Sequence, residues 1–106
     1  YKTYEKGLEM KLNLLRGKIL RLLSDFYPDG IEQTQLIGIY HAYDKTDDIV
    51  RSTSYLVDKG FVHKTQIPHP YKEGMNITYY KITPKGLDLI EGNAESDSGI
   101  LIPREA

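Results

Sequence analysis

Leu56-Val57-Asp58-Lys59-Gly60-Phe61-Val62 turns a helix into a strand with no linker between them. Leu56 and Val57 complete an apolar helical face that Ile49 and Thr53 begin. Lys59-Gly60 ends that helix, because glycine takes the left-handed conformation of a helix terminus at little cost. Phe61 and Val62 then open an apolar run that reads as a strand to Ile67. Upstream, Thr46 is the expected N-cap of this helix. Asp47 and Asp48 in its first turn suit the positive end of the helix dipole.

Working outward toward the N-terminus, Tyr43-Asp44 closes a helix expected over about 32–42, with Leu36, Ile37, Ile39 and Tyr40 as its apolar positions. Ile31 is a short apolar anchor before it. Residues 25–30 break the chain, since Pro28 cannot continue a helix and Asp29-Gly30 is a turn pair. Residues 4–27 read as one long helix. Its stripe of Leu8, Leu12, Leu15, Ile19, Leu22 and Phe26 is spaced 4, 3, 4, 3, 4, and Leu14, Leu20 and Leu23 widen it. Toward the C-terminus, Asn76 to Ile82 reads as a second strand. Pro68-His69-Pro70-Tyr71-Lys72-Glu73-Gly74-Met75 forms the long tip of the hairpin. Thr83 then caps a last helix with Pro84 at its first position, and Gly92 ends it. Residues 1–92 are expected to form one domain. Residues 93–106 are expected to be an acidic and polar tail, mobile or loosely docked.

The order helix, short strand, helix, helix, strand, wing, strand, helix predicts an α+β fold. Leu56 to Val62 resembles the helix-to-strand junction of bacterial winged-helix regulators. Tyr80-Lys81-Ile82-Thr83-Pro84-Lys85-Gly86-Leu87 resembles their second wing strand running into the last helix. The resemblance covers roughly residues 12–92. It implies a winged helix-turn-helix with a three-helix core, a short strand, a two-stranded wing and a C-terminal helix. A narrower likeness rests on Lys85-Gly86-Leu87-Asp88 and on Pro103 in the tail, which resemble short winged-helix proteins of Mu-like phages and prophages.

In this fold the third helix enters the DNA major groove and the wing touches the backbone or minor groove. With Ile49, Thr53, Leu56 and Val57 inward, Arg51, Ser52 and Tyr55 are expected to face outward. Arg51 suits guanine or phosphate, and Ser52 and Tyr55 suit phosphates or base edges. Lys45 and Thr46 stand where phosphate contacts are expected. Lys64, His69 and Lys72 are the candidate contacts on the wing, with Tyr71 beside them. Double-stranded DNA is therefore the expected partner, and sequence-specific transcriptional regulation the expected function.

Charge argues partly against this. The net charge is −1, whereas nucleic-acid binders are usually basic. Residues 1–23 carry six Lys or Arg against Glu5 and Glu9, and residues 61–81 carry Lys64, Lys72 and Lys81 against Glu73. Residues 91–106 carry four acids against Arg104. Asp47 and Asp48 would face a phosphate backbone, and counterion release needs net basic contacts. The alternative is a winged helix that docks a protein partner without touching DNA.

The long first helix points to assembly. Its 4-3 spacing begins before a bare winged helix needs it, leaving Tyr4, Leu8, Leu12 and Leu15 as a candidate homodimer seam. The competing expectation lays this helix along its own domain, against Ile100 to Ile102.

Other chemistries find little support. The chain has no cysteine, which removes disulfides, thiolate metal sites and a cysteine nucleophile. His41, His63 and His69 show no zinc spacing, and no carboxylate pair or nucleophile–base spacing stands out. No enzyme activity, metal or cofactor is expected. No apolar run reaches the roughly 20 residues that cross a bilayer, and none reads as a signal peptide, so a cytoplasmic protein is expected. The nine tyrosines are expected mostly at the core edge, with their hydroxyls outward.

Overall fold

The computed structural model describes residues 2–103, with side chains from residue 7 onward. The elements run α1 (Lys2–Phe26), β1 (Ile31–Glu32), α2 (Gln33–Tyr40), α3 (Thr46–Asp58), β2 (Val62–Pro68), β3 (Asn76–Ile82) and α4 (Pro84–Glu91). The three strands form an antiparallel sheet in the order β1-β3-β2. Three helices pack around the root of a hairpin wing, and a fourth follows it. This is an α+β winged-helix topology.

The core is one cluster. Leu15, Ile19, Leu20 and Leu23 from α1 meet Leu36 from α2, and Ile49 and Leu56 from α3. Phe61, Val62, Tyr80 and Ile82 close it from the sheet, with Leu89 from α4. The seam of α1 is narrower and slightly rotated from the expected stripe. Leu20 and Leu23 are fully buried, whereas Phe26 at the far end of the stripe is exposed. Leu15 lies in this core at 2% exposure, so it is not available to a helix–helix seam. α3, α4 and β3 all pack against α1, and Leu15 belongs to the shared core they form. Leu8 is exposed and Leu12 half-buried on the overhanging start of α1. The Tyr4 side chain lies outside the described residues.

The two stretches that carried the fold expectation meet in space. Gly60 adopts a left-handed backbone (φ 81°) and turns the chain out of α3. The Thr83 hydroxyl donates to Gly60 O at 2.6 Å, and Thr83 N–H donates to Phe61 O at 3.0 Å. That hydroxyl also accepts from Gly86 N–H at 3.1 Å, capping α4. Lys85 Nζ reaches Lys59 O at 2.9 Å and lies 5.0 Å from the centre of the Phe61 ring. The α3–β2 junction is thus held by the start of α4.

Helix ends differ in detail from expectation. α2 begins after Glu32, whose carboxylate accepts from Thr34 N–H, the Thr34 hydroxyl and Gln35 N–H. The Thr34 hydrogen bond leads in holding the Glu32 carboxyl below its ordinary pKa. Lys45, not Thr46, is the N-cap of α3, and it makes no side-chain capping bond. Thr46 is instead the first helical residue, and Asp47 and Asp48 in the first turn supply the favourable charge.

The tail is docked rather than loose. Ile100 is buried in the core cluster, and burying such a side chain contributes about 1.5–3 kcal/mol. Leu101 N–H donates to Asn13 O of α1 at 3.0 Å. Arg16 and Arg21 of α1 donate to Gly99 O at 3.1 Å and Pro103 O at 3.2 Å. Tail and α1 pack closest at Gly17, where a side chain would overlap the Leu101 carbonyl.

Candidate nucleic-acid interface

α3 presents its outer face between the turn that follows α2 and the wing. Ile49, Ser52, Thr53 and Leu56 are its buried positions. Asp47, Val50, Arg51, Ser54 and Asp58 are exposed on the opposite side. Arg51 therefore stands outward, as its position in the sequence implied. Lys45 and Thr46 are also exposed at the helix start.

Ser52 and Tyr55 are placed differently from expectation. Ser52 is fully buried, and its hydroxyl oxygen has no hydrogen-bond partner. It lies three residues after Ile49 and four before Leu56, which puts it on the apolar stripe despite its polarity. Tyr55 is turned to the flank of α3 and is engaged by the tail. Its hydroxyl donates to Asp97 Oδ1 at 2.9 Å, and the Arg16 guanidinium lies 3.8 Å from its ring centre. Burial first, then Asp97, pushes the Tyr55 hydroxyl pKa up, so it remains a protonated donor. Val50 and Ser54 take their places on the outer face. The signal for them was the recurrence of 47, 50, 51, 54 and 58 opposite the stripe 49, 52, 53 and 56.

The wing projects from the body. Of β2 only Val62 is buried, and its remaining six residues are exposed on both faces. Pairing with β3 is regular from Val62↔Ile82 to Pro68↔Asn76, and Gln66 Nε2 donates to the Thr78 hydroxyl at 3.3 Å. Side chains alternate across the hairpin. Lys64 shares a face with Tyr80, and His63 shares the other with Lys81.

At the tip, His69 shapes the turn. Its Nδ1 accepts from the N–H groups of Tyr71 and Lys72, both at 3.1 Å. An accepting Nδ1 leaves the ring proton on Nε2. That is the atom with which His69 can still meet a phosphate. His69 N–H donates to Met75 O at 2.8 Å and closes the loop. Tyr71 is 91% exposed and Lys72 is exposed beside it. The tip is thus a rigid turn that presents an aromatic ring and a cation.

The electrostatics are mixed. The outer face of α3 sets Arg51 between Asp47 and Asp58. Lys45 at the helix start and Lys64 and Lys72 on the wing add positive charge, and all are exposed. Beneath the turn, Lys11 Nζ of α1 lies 4.0 Å from Asp44 Oδ1. Tyr40 donates to Lys18 O at 3.1 Å, and burial, with Asp44 nearby, pushes its pKa up to about 12. These contacts fix the helix-turn-helix against α1 without using the outer face of α3.

A second exposed feature lies on α2. Phe26, Gly30, Ile31, Gln35, Gly38 and Ile39 line a shallow groove, with Phe26 and Ile39 each about half exposed. Among the described residues, no group of three His, Asp or Glu side chains is placed to hold a metal ion. No described helix is long and apolar enough to cross a membrane.

No family model, curated protein or solved structure matches the chain.

Proposed function

We propose that this protein binds duplex DNA as a transcriptional regulator, with the outer face of α3 in the major groove and the wing on the backbone. The contacts are Arg51 and Ser54 on α3, Lys45 and Thr46 at its start, and Lys64, His69 and Lys72 on the wing. The observation that carries the reading is the hairpin. A strand that buries one residue in seven adds little to the core, and a small domain gains from such a projection chiefly through what it touches. Beside an open third helix, it suits a duplex. Two copies would dock through the overhang of α1, where Leu8 is exposed and Leu12 half-buried, and would present paired third helices to a palindromic site. The likeness to Mu-like phage proteins rests on Lys85 to Asp88 and Pro103 alone, and a phage or prophage origin stays a proposal on that basis.

The second reading is a protein-docking module. It is favoured by Asp47 and Asp58 on either side of Arg51, and by the apolar groove of Phe26 and Ile39. Titrating a labelled duplex with the wild-type chain and with R51A separates the two. Loss of affinity in R51A supports DNA binding through α3, and no duplex binding by either chain moves the weight to the docking reading.

A further inference from the structure

The tail crosses α1 and α3 along a track of matched pieces. Asp97 Oδ1 accepts from Tyr55 Oη at 2.9 Å and from Gly99 N–H at 2.7 Å. Its Oδ2 lies 3.4 Å from Lys59 Nζ. Arg16 donates to Gly99 O at 3.1 Å and to Asn13 Oδ1 at 3.0 Å, so the cation stacked on Tyr55 also holds the tail backbone. Leu101 N–H donates to Asn13 O at 3.0 Å, and Ile100 is the buried apolar anchor.

Two glycines make the approach. A Cβ on Gly17 would lie 2.6 Å from the Leu101 carbonyl carbon, and one on Gly99 would lie 2.8 Å from Tyr55 Cζ. The surface therefore reads a pattern. It takes a carboxylate, a glycine two positions on and one buried aliphatic residue after it, which is Asp97-Ser98-Gly99-Ile100 in this chain.

We propose that the surface formed by Asn13, Arg16, Gly17, Tyr55 and Lys59 is a binding site for an acidic peptide of Asp-x-Gly-Ile type, and that the chain's own tail is its exchangeable occupant. The contacts are those of ligand recognition. They consist of one ion pair, one hydroxyl bond, two hydrogen bonds between the surface and the tail backbone and a single buried side chain. The connection permits exchange. Gly92 ends α4 in a left-handed conformation (φ 79°), and residues 92–96 are all exposed. The tail is therefore joined to α4 by an exposed link with no buried side chain. A tethered occupant acts at an effective concentration of the order of ~1 mM. A partner segment of the same pattern must outcompete that. The site lies on the flank of α3, so it stands or falls independently of duplex binding.

The test uses full-length labelled chain and a synthetic peptide spanning residues 94–103, followed by amide shifts at Asn13, Tyr55 and Lys59. In G99A the tethered tail cannot seat, while the added peptide retains its glycine. The expected result is at least ~10-fold tighter peptide binding to G99A than to the wild-type chain, since the tethered competitor is removed. A peptide carrying Asp97→Asn should bind G99A at least ~10-fold more weakly, the loss of one charge-assisted contact. D97N chain provides the same comparison should G99A not fold. Absence of peptide binding to both opened chains, or equal binding of the two peptides, overturns the proposal.

Discussion

Gly86 of α4 lies directly against the backbone of Phe61, so that a Cβ there would stand 3.2 Å from the Phe61 carbonyl carbon and 2.7 Å from Ile82 Cγ1. The carbonyl is the one that accepts Thr83 N–H, so neither side of the contact can yield alone. G86A should therefore lower stability by about 1–3 kcal/mol, the usual cost of overpacking. Gly38 provides the control, because nothing lies within 4 Å of its Cβ position on α2. G38A should raise stability by about 0.5–1 kcal/mol through helix propensity. Urea unfolding of both variants checks the pair, and a shift of the same sign in both would show that the α3–β2 junction is not packed as described.

This contact explains why the fold was legible. Lys59-Gly60-Phe61 and Thr83-Pro84-Lys85-Gly86 are local signals, a helix end and a helix start, and each can be read from its own residues. The wing strands and the helix order follow from the same kind of local chemistry. The candidate site is less legible. Ser52 is polar, so sequence reasoning turned it outward, but the helical period sets its side chain on the apolar stripe. Tyr55 was displaced by a long-range partner, since Asp97 lies 42 positions away and no local pattern joins them. The few apolar groups of the tail suggest a mobile or loosely docked segment, with Ile100 to Ile102 as its one candidate contact with α1. Its docking depends on Gly17 and Arg16 at the far end of the chain.

Ser52 supplies a prediction that divides stability from binding. Its hydroxyl is buried without a partner, and leaving such a group unsatisfied costs about 1–3 kcal/mol. S52A should be neutral or stabilising by up to about 1 kcal/mol, part of that cost being offset by lost packing. Duplex affinity should not change. Thermal unfolding and duplex titration of the same sample check this. Weaker DNA binding in S52A with unaltered stability would put the side chain back on the outer face.

The Asp97 contact predicts how the tail responds to acid. Burial raises the pKa of this carboxyl, but the bonds from Gly99 N–H and Tyr55 Oη, together with Lys59, more than offset that and hold it below its ordinary value. A depressed value means that the contact is complete at neutral pH and is lost as the pH falls through the lowered pKa. Amide protection at Ile100 and Leu101 should persist at pH 5 and fall away below about pH 4, ahead of the core amides of α1. D97N should show the weakened protection already at neutral pH. Hydrogen exchange by mass spectrometry reads both, and a tail whose protection is indifferent to pH and to D97N would not be held by this carboxylate.

If α3 and the wing together neutralise DNA phosphates, duplex binding must depend steeply on salt. Fluorescence anisotropy of a labelled random duplex at three salt concentrations gives the slope of log affinity against log salt. Contacts from Lys45, Arg51, Lys64 and Lys72 predict a slope of about −3.6 per protomer. Removing any one of these charges should make it shallower by about 1. No binding at the lowest salt, or a slope that R51A, K64A and K72A all leave unchanged, would contradict the account.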